Sequence, residues 1–446
     1  MEKIKFFWFE LKSSFWFIPM VTILASVPIA ISLIYFDQSF KFSNDGMGRY
    51  FFVSSSDSAR SILSTISGAM IGVAGTVFSV TLVALTLASS QFGPRLIKNF
   101  MSVRLNQVVL GSYVSTYLYC LIILNGVRDS DDFSFIPSIS ILVAILLAVV
   151  NIILLVVFIH QIAISIQADK LIADIHEFIS NQVQDLFPHK IGEETDLENT
   201  VQEEEIKSQY TKKMLIKSPK SGYLQYIDSE KLVEIMTSNS SLLELDVKPG
   251  DYVVRNSEIG IAYHSGTDGE DISEKVGNQL IIGRTRTSQQ DFEFSIFQMV
   301  EIAGRALSPG VNDPFTAIAC IDNLSATLCN LAKVQFPSKY RFDKERVLRV
   351  IAFPLNFEGI LDAAYNQIRQ FSAENPAVII RLMEALITIS QFTDNPSDKN
   401  AVIKHAKMVL NVGKETMKEK NDFHDLVKRA KKLLPANSNV FAMVSE

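Results

Sequence analysis

Four stretches of this chain, residues 13–36, 61–94, 105–127 and 133–168, contain no Asp, Glu, Lys or Arg. Each exceeds the roughly 20 residues that carry an α-helix across about 30 Å of hydrocarbon. Inside hydrocarbon no water satisfies backbone N–H and C=O groups, so a charge-free run of this length reads as a spanning helix. We therefore expect four transmembrane helices, centred near Ile23, Thr76, Tyr117 and Val149. The second and fourth stretches exceed one crossing, and Gln91, Gly93 and Pro94 are placed to end the second helix. The first stretch is too long for a signal-peptide core and no small-residue cleavage site follows it. Composition matters here only as an average over unlike halves: 48% hydrophobic and 20% charged residues, with the apolar surplus confined to the region before residue 168. A wholly soluble enzyme is excluded.

With the N-terminus inside, the inner face carries Lys3, Lys5, Lys12, Arg95, Lys98, Arg104 and Lys170, and the outer face Lys41, Arg49, Arg60 and Arg128. Seven cations against four predict both termini in the cytoplasm of a bacterial inner-membrane protein. The three cysteines, Cys120, Cys320 and Cys329, form no CxxC, paired framework or zinc spacing.

The second helix is the unusual one. Ser64, Gly68, Gly72, Gly75, Ser79 and Thr86 recur at spacings of three, four or seven, placing small and hydroxyl residues on one stripe. Two readings stand: close helix packing, within the bundle or between subunits of a homo-oligomer, and a pore wall on which hydroxyls replace part of an ion's hydration. Active transport is disfavoured, because no carboxylate or lysine is expected at depth and only His160, near the inner end of the fourth helix, comes close.

The soluble half divides further. Leu171, Ile172, Ile175, Ile179 and Val183 keep a helical period, so the fourth helix should run on into the cytoplasm until Pro188. A solvated acidic linker follows, with Glu193, Glu194, Asp196, Glu198 and Glu203 to Glu205. From Met214 to Arg284 the period is two: short runs at Tyr223–Ile227, Leu242–Val247, Tyr252–Val254 and Ile259–Tyr263 are separated by turns at Pro219–Gly222 and Pro249–Asp251. Asp228 caps a short helix over residues 230–236. The pattern resembles half of a lipoyl-type barrel but has no lysine at a hairpin tip, so an assembly or docking module is expected.

Residues 283–332 hold the densest set of polar groups: a helix from about Gln289 to Leu307, a break at Ser308-Pro309-Gly310, then Asp313 as N-cap and Pro314 at the first position of a second helix. The free amides of that second helix make an anion site, with Arg284, Arg286 and Arg305 for charge and Ser308, Gly310, Asn312 and Asp313 around the turn. The competing reading is capping plus ordinary salt bridges to Asp291 and Glu301. An anionic small-molecule effector is thus one expected partner, beside the lipid bilayer and a second copy of the chain. Beyond about Phe342 the chain reads as helices punctuated by Asn375-Pro376 and Asn395-Pro396, ending in the basic cluster Lys428, Arg429, Lys431 and Lys432. A net charge of −6 and the lack of any recognition motif argue against nucleic acid.

The run from Arg305 to Ala317, with Val73–Ser79, Ser89–Arg95, Ser221–Gln225, Arg284–Thr287 and Gln290-Asp291, resembles a bacterial family of predicted membrane proteins classed as a domain of unknown function. That resemblance implies a membrane location and carries no catalytic residue. No P-loop, GxSxG, HExxH or CxxC occurs, Asp268, Glu270 and Asp271 lack calcium-loop spacing, and the six histidines stand singly. Neither an enzyme nor a cofactor is implied. The expected fold is an α-helical membrane protein: four transmembrane helices over residues 1–168, a helical extension and linker over 169–206, a small β-rich cytoplasmic domain over 207–282 and a helical domain over 283–446. The expected function is an oligomeric channel or transport-like protein regulated through its cytoplasmic domains. The alternative is a non-conducting membrane scaffold or sensor whose soluble half docks partners or an anionic ligand.

Overall fold

A computed structural model describes residues 8, 11–12, 14–39, 55–96, 103–130, 133–186, 202–265 and 269–434 of the chain. Pro188, the acidic residues 193–198, Asp268 and several loop cations, Lys41, Arg49 and Lys98 among them, lie outside the described residues. The chain forms two compact units, Met1–Lys170 and Leu171–Glu446.

The first unit holds four apolar helices long enough to span a membrane: α1 (Phe17–Ser39), α2 (Ser56–Phe92), α3 (Arg104–Gly126) and α4 (Ser138–Ser165). As the turn residues predict, α2 stops at Phe92, where Gly93 adopts φ 115° and Pro94 opens a short 3-10 turn. Two short antiparallel strands, β1 (Arg128–Ser130) and β2 (Phe133–Phe135), join α3 to α4. The least hydropathic helix, α3, is the central one, packed against α1, α2 and α4. Its polar residues face inward because they find partners there. Ser112 Oγ donates to Asn151 Oδ1 at 2.6 Å, Asn151 Nδ2 donates to Thr116 Oγ1 at 2.9 Å, and Tyr113 OH donates to the Asn151 carbonyl at 2.6 Å. Water is absent at this depth, so such bonds fix which helix faces meet. Gly111 admits α1: a Cβ there would lie 3.0 Å from the Pro19 Cα.

The expectation of no carboxylate in the bundle needs correcting. Helix α1 extends past the charge-free stretch to Ser39 and carries Asp37 to a site where it is only 8% exposed. There its carboxylate accepts from the amides of Ile139 and Ser140, both at 3.0 Å, and from Ser140 Oγ at 2.6 Å. It caps the N-terminus of α4 from another helix, where the free amides and helix dipole favour an anion. His160 lies at the surface.

Helix α5 (Ala168–Leu186), whose first three residues belong to the first unit, follows α4 after a break at residues 166–167, so the fourth apolar helix does not run on. The predicted stripe of Leu171, Ile172, Ile175, Ile179 and Val183 is buried. The end of the acidic stretch forms a short helix, α6 (Glu203–Ser208), instead of solvated coil. Glu203 accepts from Lys339 Nζ at 2.5 Å and Tyr340 OH at 2.7 Å, which hold its pKa down at about 2.

Strands β4 (Gly222–Ile227), β5 (Leu242–Leu245), β6 (Tyr252–Val253) and β7 (Glu258–His264) fall on the four expected runs, β3 (Lys212–Lys217) and β8 (Leu280–Gly283) add to them, α7 (Ser229–Ser238) is capped by Asp228 as expected, and α8 (Gly269–Gly277) precedes β8. The region read as wholly helical supplies two further strands, β9 (Tyr340–Phe342) and β10 (Leu348–Ile351). They complete a five-stranded sheet in the order β3-β7-β5-β10-β9, with β10 parallel to β5, while β6-β4-β8 form a second sheet. Thus the β-rich part is not contiguous in sequence. Leu232, Met236 and Val276 from its helices and Val350 from β10 share one core with Leu224, Leu243 and Ile282.

Six helices form the rest: α9 (Phe292–Ala306), α10 (Pro314–Leu331), α11 (Phe357–Phe371), α12 (Pro376–Ser390), α13 (Pro396–Thr416) and α14 (Lys420–Ala430). Pro376 and Pro396 begin helices as predicted, since proline lacks the N–H that a first turn leaves unpaired. In the basic cluster, Arg429 is bonded to Glu384 and Asp425, whereas Lys428, Lys431 and Lys432 are exposed.

Between α11 and α13, His405 is fully buried, its Nε2 2.9 Å from Asp362 Oδ1. Burial pulls its pKa below the ordinary 6.5, Asp362 opposing and the cationic Lys404 and Arg369 assisting. The unfolded chain therefore takes up this proton more readily than the native one, and stability falls as pH drops below about 6.5. Thermal unfolding followed between neutral pH and pH 5 should show a falling midpoint, less steep in His405→Gln. A steeper fall in that variant would contradict this assignment.

Candidate functional site

Several of the conspicuous motifs, far apart in sequence, meet at one joint in the second unit. The segment between β8 and α9 crosses from the sheet to the helices, and its Thr285, Arg286, Ser288, Gln290 and Asp291 are all bonded there. Gln225 Nε2 donates to the Thr285 carbonyl at 2.7 Å. Gln290 brackets Ile227, accepting from its amide at 2.8 Å and donating to its carbonyl at 3.1 Å. Arg286 clasps Asp291 through two bonds, Nε to Oδ2 at 2.7 Å and Nη2 to Oδ1 at 2.8 Å. Asp291 also caps α9 by accepting from the Phe294 amide at 3.0 Å.

Two glycines let backbone enter this joint. Gly222 adopts φ 149°, and a Cβ on it would stand 2.5 Å from the Gly283 carbonyl oxygen. Gly250, at φ 101° in the Pro249-Gly250-Asp251 turn, lies directly over the ion pair, a Cβ there falling 2.7 Å from Arg286 Nη2. Both conformations favour glycine because a side chain is strained at such φ. The guanidinium rests 5.2 Å from the Phe297 ring centroid and 5.7 Å from that of Phe294. Burial works against the charge of Arg286, and Asp291 more than offsets it, leaving the guanidinium pKa raised. This is an ion pair closed on itself.

The helix that follows the membrane unit is bonded into the same joint. Gln182 of α5, 8% exposed, donates to the Ser288 carbonyl and accepts from Ser295 Oγ, the latter at 2.6 Å. One turn and a half earlier, His176 Nδ1 lies 3.3 Å from Thr327 Oγ1 on α10. Sequence reading took α5 as a helix but gave Gln182 no part, because one glutamine on an amphipathic helix carries no signal of what it faces.

The residues expected to bind an anion divide. Ser308, Gly310, Asn312 and Asp313 do share one turn between α9 and α10, and Asp313 caps α10 as predicted, accepting from the Thr316 amide at 3.2 Å and Thr316 Oγ1 at 2.5 Å. Arg305 precedes the turn and pairs with Glu301 at 3.5 Å, as the competing reading had it. Arg286 is committed to Asp291, and Arg284 is exposed. Among the described residues no group of three or more His, Cys, Asp or Glu is arranged to hold a metal, and all three cysteines are buried and unpaired.

In the membrane unit the small-residue stripe faces out. Ser64, Gly68, Gly72, Gly75 and Ser79 are all exposed, while the opposite face of α2 buries Leu63, Met70, Ala74 and Val77. A Cβ on Gly68, Gly72 or Gly75 would meet nothing within 4 Å. The stripe therefore does not pack inside the bundle, which removes one of the two packing options the sequence allowed. Thr76, Ser79 and Thr86 donate to the carbonyls of Gly72, Gly75 and Leu82, four residues back on their own helix.

Comparison with known proteins bears on the whole of this architecture. Residues 12–388 match the family described as Predicted membrane protein (DUF2254), a span that takes in all four apolar helices, both sheets and the joint. The chain belongs to this family. Two relatives, Uncharacterized protein Rv1290c of Mycobacterium tuberculosis and Uncharacterized protein Mb1321c of Mycobacterium bovis, are each 32% identical over 370 residues, covering 82% of this chain and 70% of theirs. No solved structure matches.

Proposed function

We propose that this family member is a homo-oligomeric, channel-like protein of the bacterial inner membrane, with α2 turned toward a shared axis and with both termini and the second unit in the cytoplasm. The observation that carries the reading is the open small-residue face of α2. Beside this stripe the outward surfaces carry large apolar side chains suited to lipid, such as Leu24 and Ile31 on α1, Ile152, Val156 and Ile159 on α4, and Ile71, Phe78 and Val83 on α2 itself. A face of glycine and hydroxyl residues gains little from lipid and gains more from close approach of another α2. Because the hydroxyls of Thr76, Ser79 and Thr86 give their protons to their own helix, only oxygen lone pairs remain for a guest. A passage lined this way favours cations over anions.

Regulation would enter through α5, which begins three residues after α4 ends and is fastened to the α9 joint by Gln182. Oxidation of a Gly72→Cys variant in native membranes should give a covalent dimer, and Gly72→Leu should cut potassium flux into proteoliposomes at least tenfold. Absence of the dimer overturns the oligomer. A dimer without any wild-type flux instead supports the second reading, a non-conducting scaffold that uses the same helix face for assembly.

A further inference from the structure

The α9–α10 turn is built opposite to an ordinary solvent loop. Its polar groups are spent inside: Ser308 Oγ donates to the Arg305 carbonyl at 2.6 Å, the amides of Val311 and Asn312 both donate to the Ser308 carbonyl, and the Asp313 amide donates to the Ala306 carbonyl at 2.7 Å. Asn312 takes φ 49° to close it. Its large apolar side chains point away, Val311 at 58% exposure and Phe315 at 81%. Phe371, at the end of α11 and 53% exposed, lies beside the same end of α9, where a Cβ on Gly304 would come within 3.1 Å of its ring. One end of the helical layer thus presents three large apolar side chains, Val311 on the internally bonded turn, Phe315 in the first turn of α10 and Phe371 at the end of α11. Water gains nothing from that arrangement.

We propose that this end docks on the lipid bilayer that anchors the chain, with Phe315 and Val311 seated at the headgroup boundary. The chemistry fits an interface of lipid type, since an aromatic and an aliphatic side chain supply apolar area and the amides of Val311, Asn312 and Asp313 are already bonded within the turn. Burying the two side chains is worth about 3–5 kcal/mol, which by itself gives a free protein only weak, millimolar-scale attachment. This unit is not free. It begins at Leu171, six residues after the last residue of α4, and residues 168–170 are already helical, so the tether is short. Such a tether makes docking intramolecular, with an effective concentration at or above the millimolar scale, so weak apolar contact suffices. The proposal needs only the membrane anchoring of the chain and is independent of whether α2 lines a passage.

The test uses the full chain in vesicles of phosphatidylethanolamine and phosphatidylglycerol, with an NBD probe on Phe315→Cys and, separately, on the exposed Lys407→Cys. The native cysteines are buried and out of reach of the label. The Phe315 probe should be quenched several-fold more by doxyl-labelled lipid than by aqueous iodide, and the Lys407 probe the reverse. Quenching at Phe315 by iodide alone overturns the proposal, as does protection from both quenchers, which would mean a protein interface. The wild-type chain gives a second readout that needs no substitution: amide exchange over residues 308–316 should slow several-fold in nanodiscs relative to amphipol, and equal rates refute docking.

Discussion

Arg286→Met should destabilise the second unit by about 3–5 kcal/mol, the range for breaking a buried ion pair by removing one partner. The carboxylate of Asp291 is 2% exposed, and its two bonds from Arg286 are what make that burial tolerable. Methionine keeps the packing volume near Phe294 and Phe297 but leaves a negative charge without its counter-charge. In a unit of this size such a loss lowers the unfolding temperature by about 10 °C. Adding Asp291→Asn should restore much of it, because asparagine still caps α9 and no charge is then stranded. Calorimetry of the detergent-solubilised chain decides the matter. A midpoint shift below about 2 °C for Arg286→Met, or no recovery in the double variant, would show that the pair does not hold the joint.

A loss of about 2–4 kcal/mol is expected for Gly250→Val, from a different cause acting at the same place. A β-branched side chain is strained at φ 101°, and its Cβ would drive into Arg286 and Asp291. Since the inserted atoms displace the ion pair, the two substitutions share their damage. Combined with Arg286→Met, the valine should cost clearly less than the sum of the two single effects, a coupling of at least 1 kcal/mol. Strict additivity would mean that the Pro249-Gly250-Asp251 turn and the ion pair are independent structures. The same variants carry a functional reading, because Gln182 bonds to Ser288 and Ser295 beside this pair. If α5 conveys the state of the joint to the membrane helices, flux should respond to Gln182→Leu while the four-helix unit stays folded.

Much of the local structure was legible because it follows from local chemistry. Asp228 and Asp313 each sit before a helix and accept from an amide three residues on, a bond that depends only on neighbouring backbone, whereas Asp291, which does the same for α9, fell inside the helix expected from about Gln289. The apolar stripe on α5 gives burial without reference to partners. Strands β9 and β10 were missed for the converse reason. Leu348–Ile351 is four residues long, buried throughout, and pairs in parallel with a strand more than 100 residues earlier. A short run buried on both faces shows no alternation, so its period cannot tell strand from helix. The motif residues were conspicuous in sequence, yet Gln225, Gly250, Gln290 and Arg286 touch groups up to 63 residues away, and nothing local joins them.

The charge-free stretches alone determined four helices long and apolar enough to cross a membrane among the described residues, because hydrocarbon offers no water to a charge or an open backbone. The same stretches left the glycine stripe on α2 undecided. A period of three to four residues fixes a face but not its direction, and direction depends on which helix supplies the better partner. Here α3, with its inward tyrosines and hydroxyls, takes the opposite side of α2, and the glycines are left facing outward. In the second unit the decision is again one of partners. Of the three arginines that sequence alone offered to a ligand, Arg286 is taken by Asp291, and the turn at the other end of α9 shows its surroundings Val311 and Phe315.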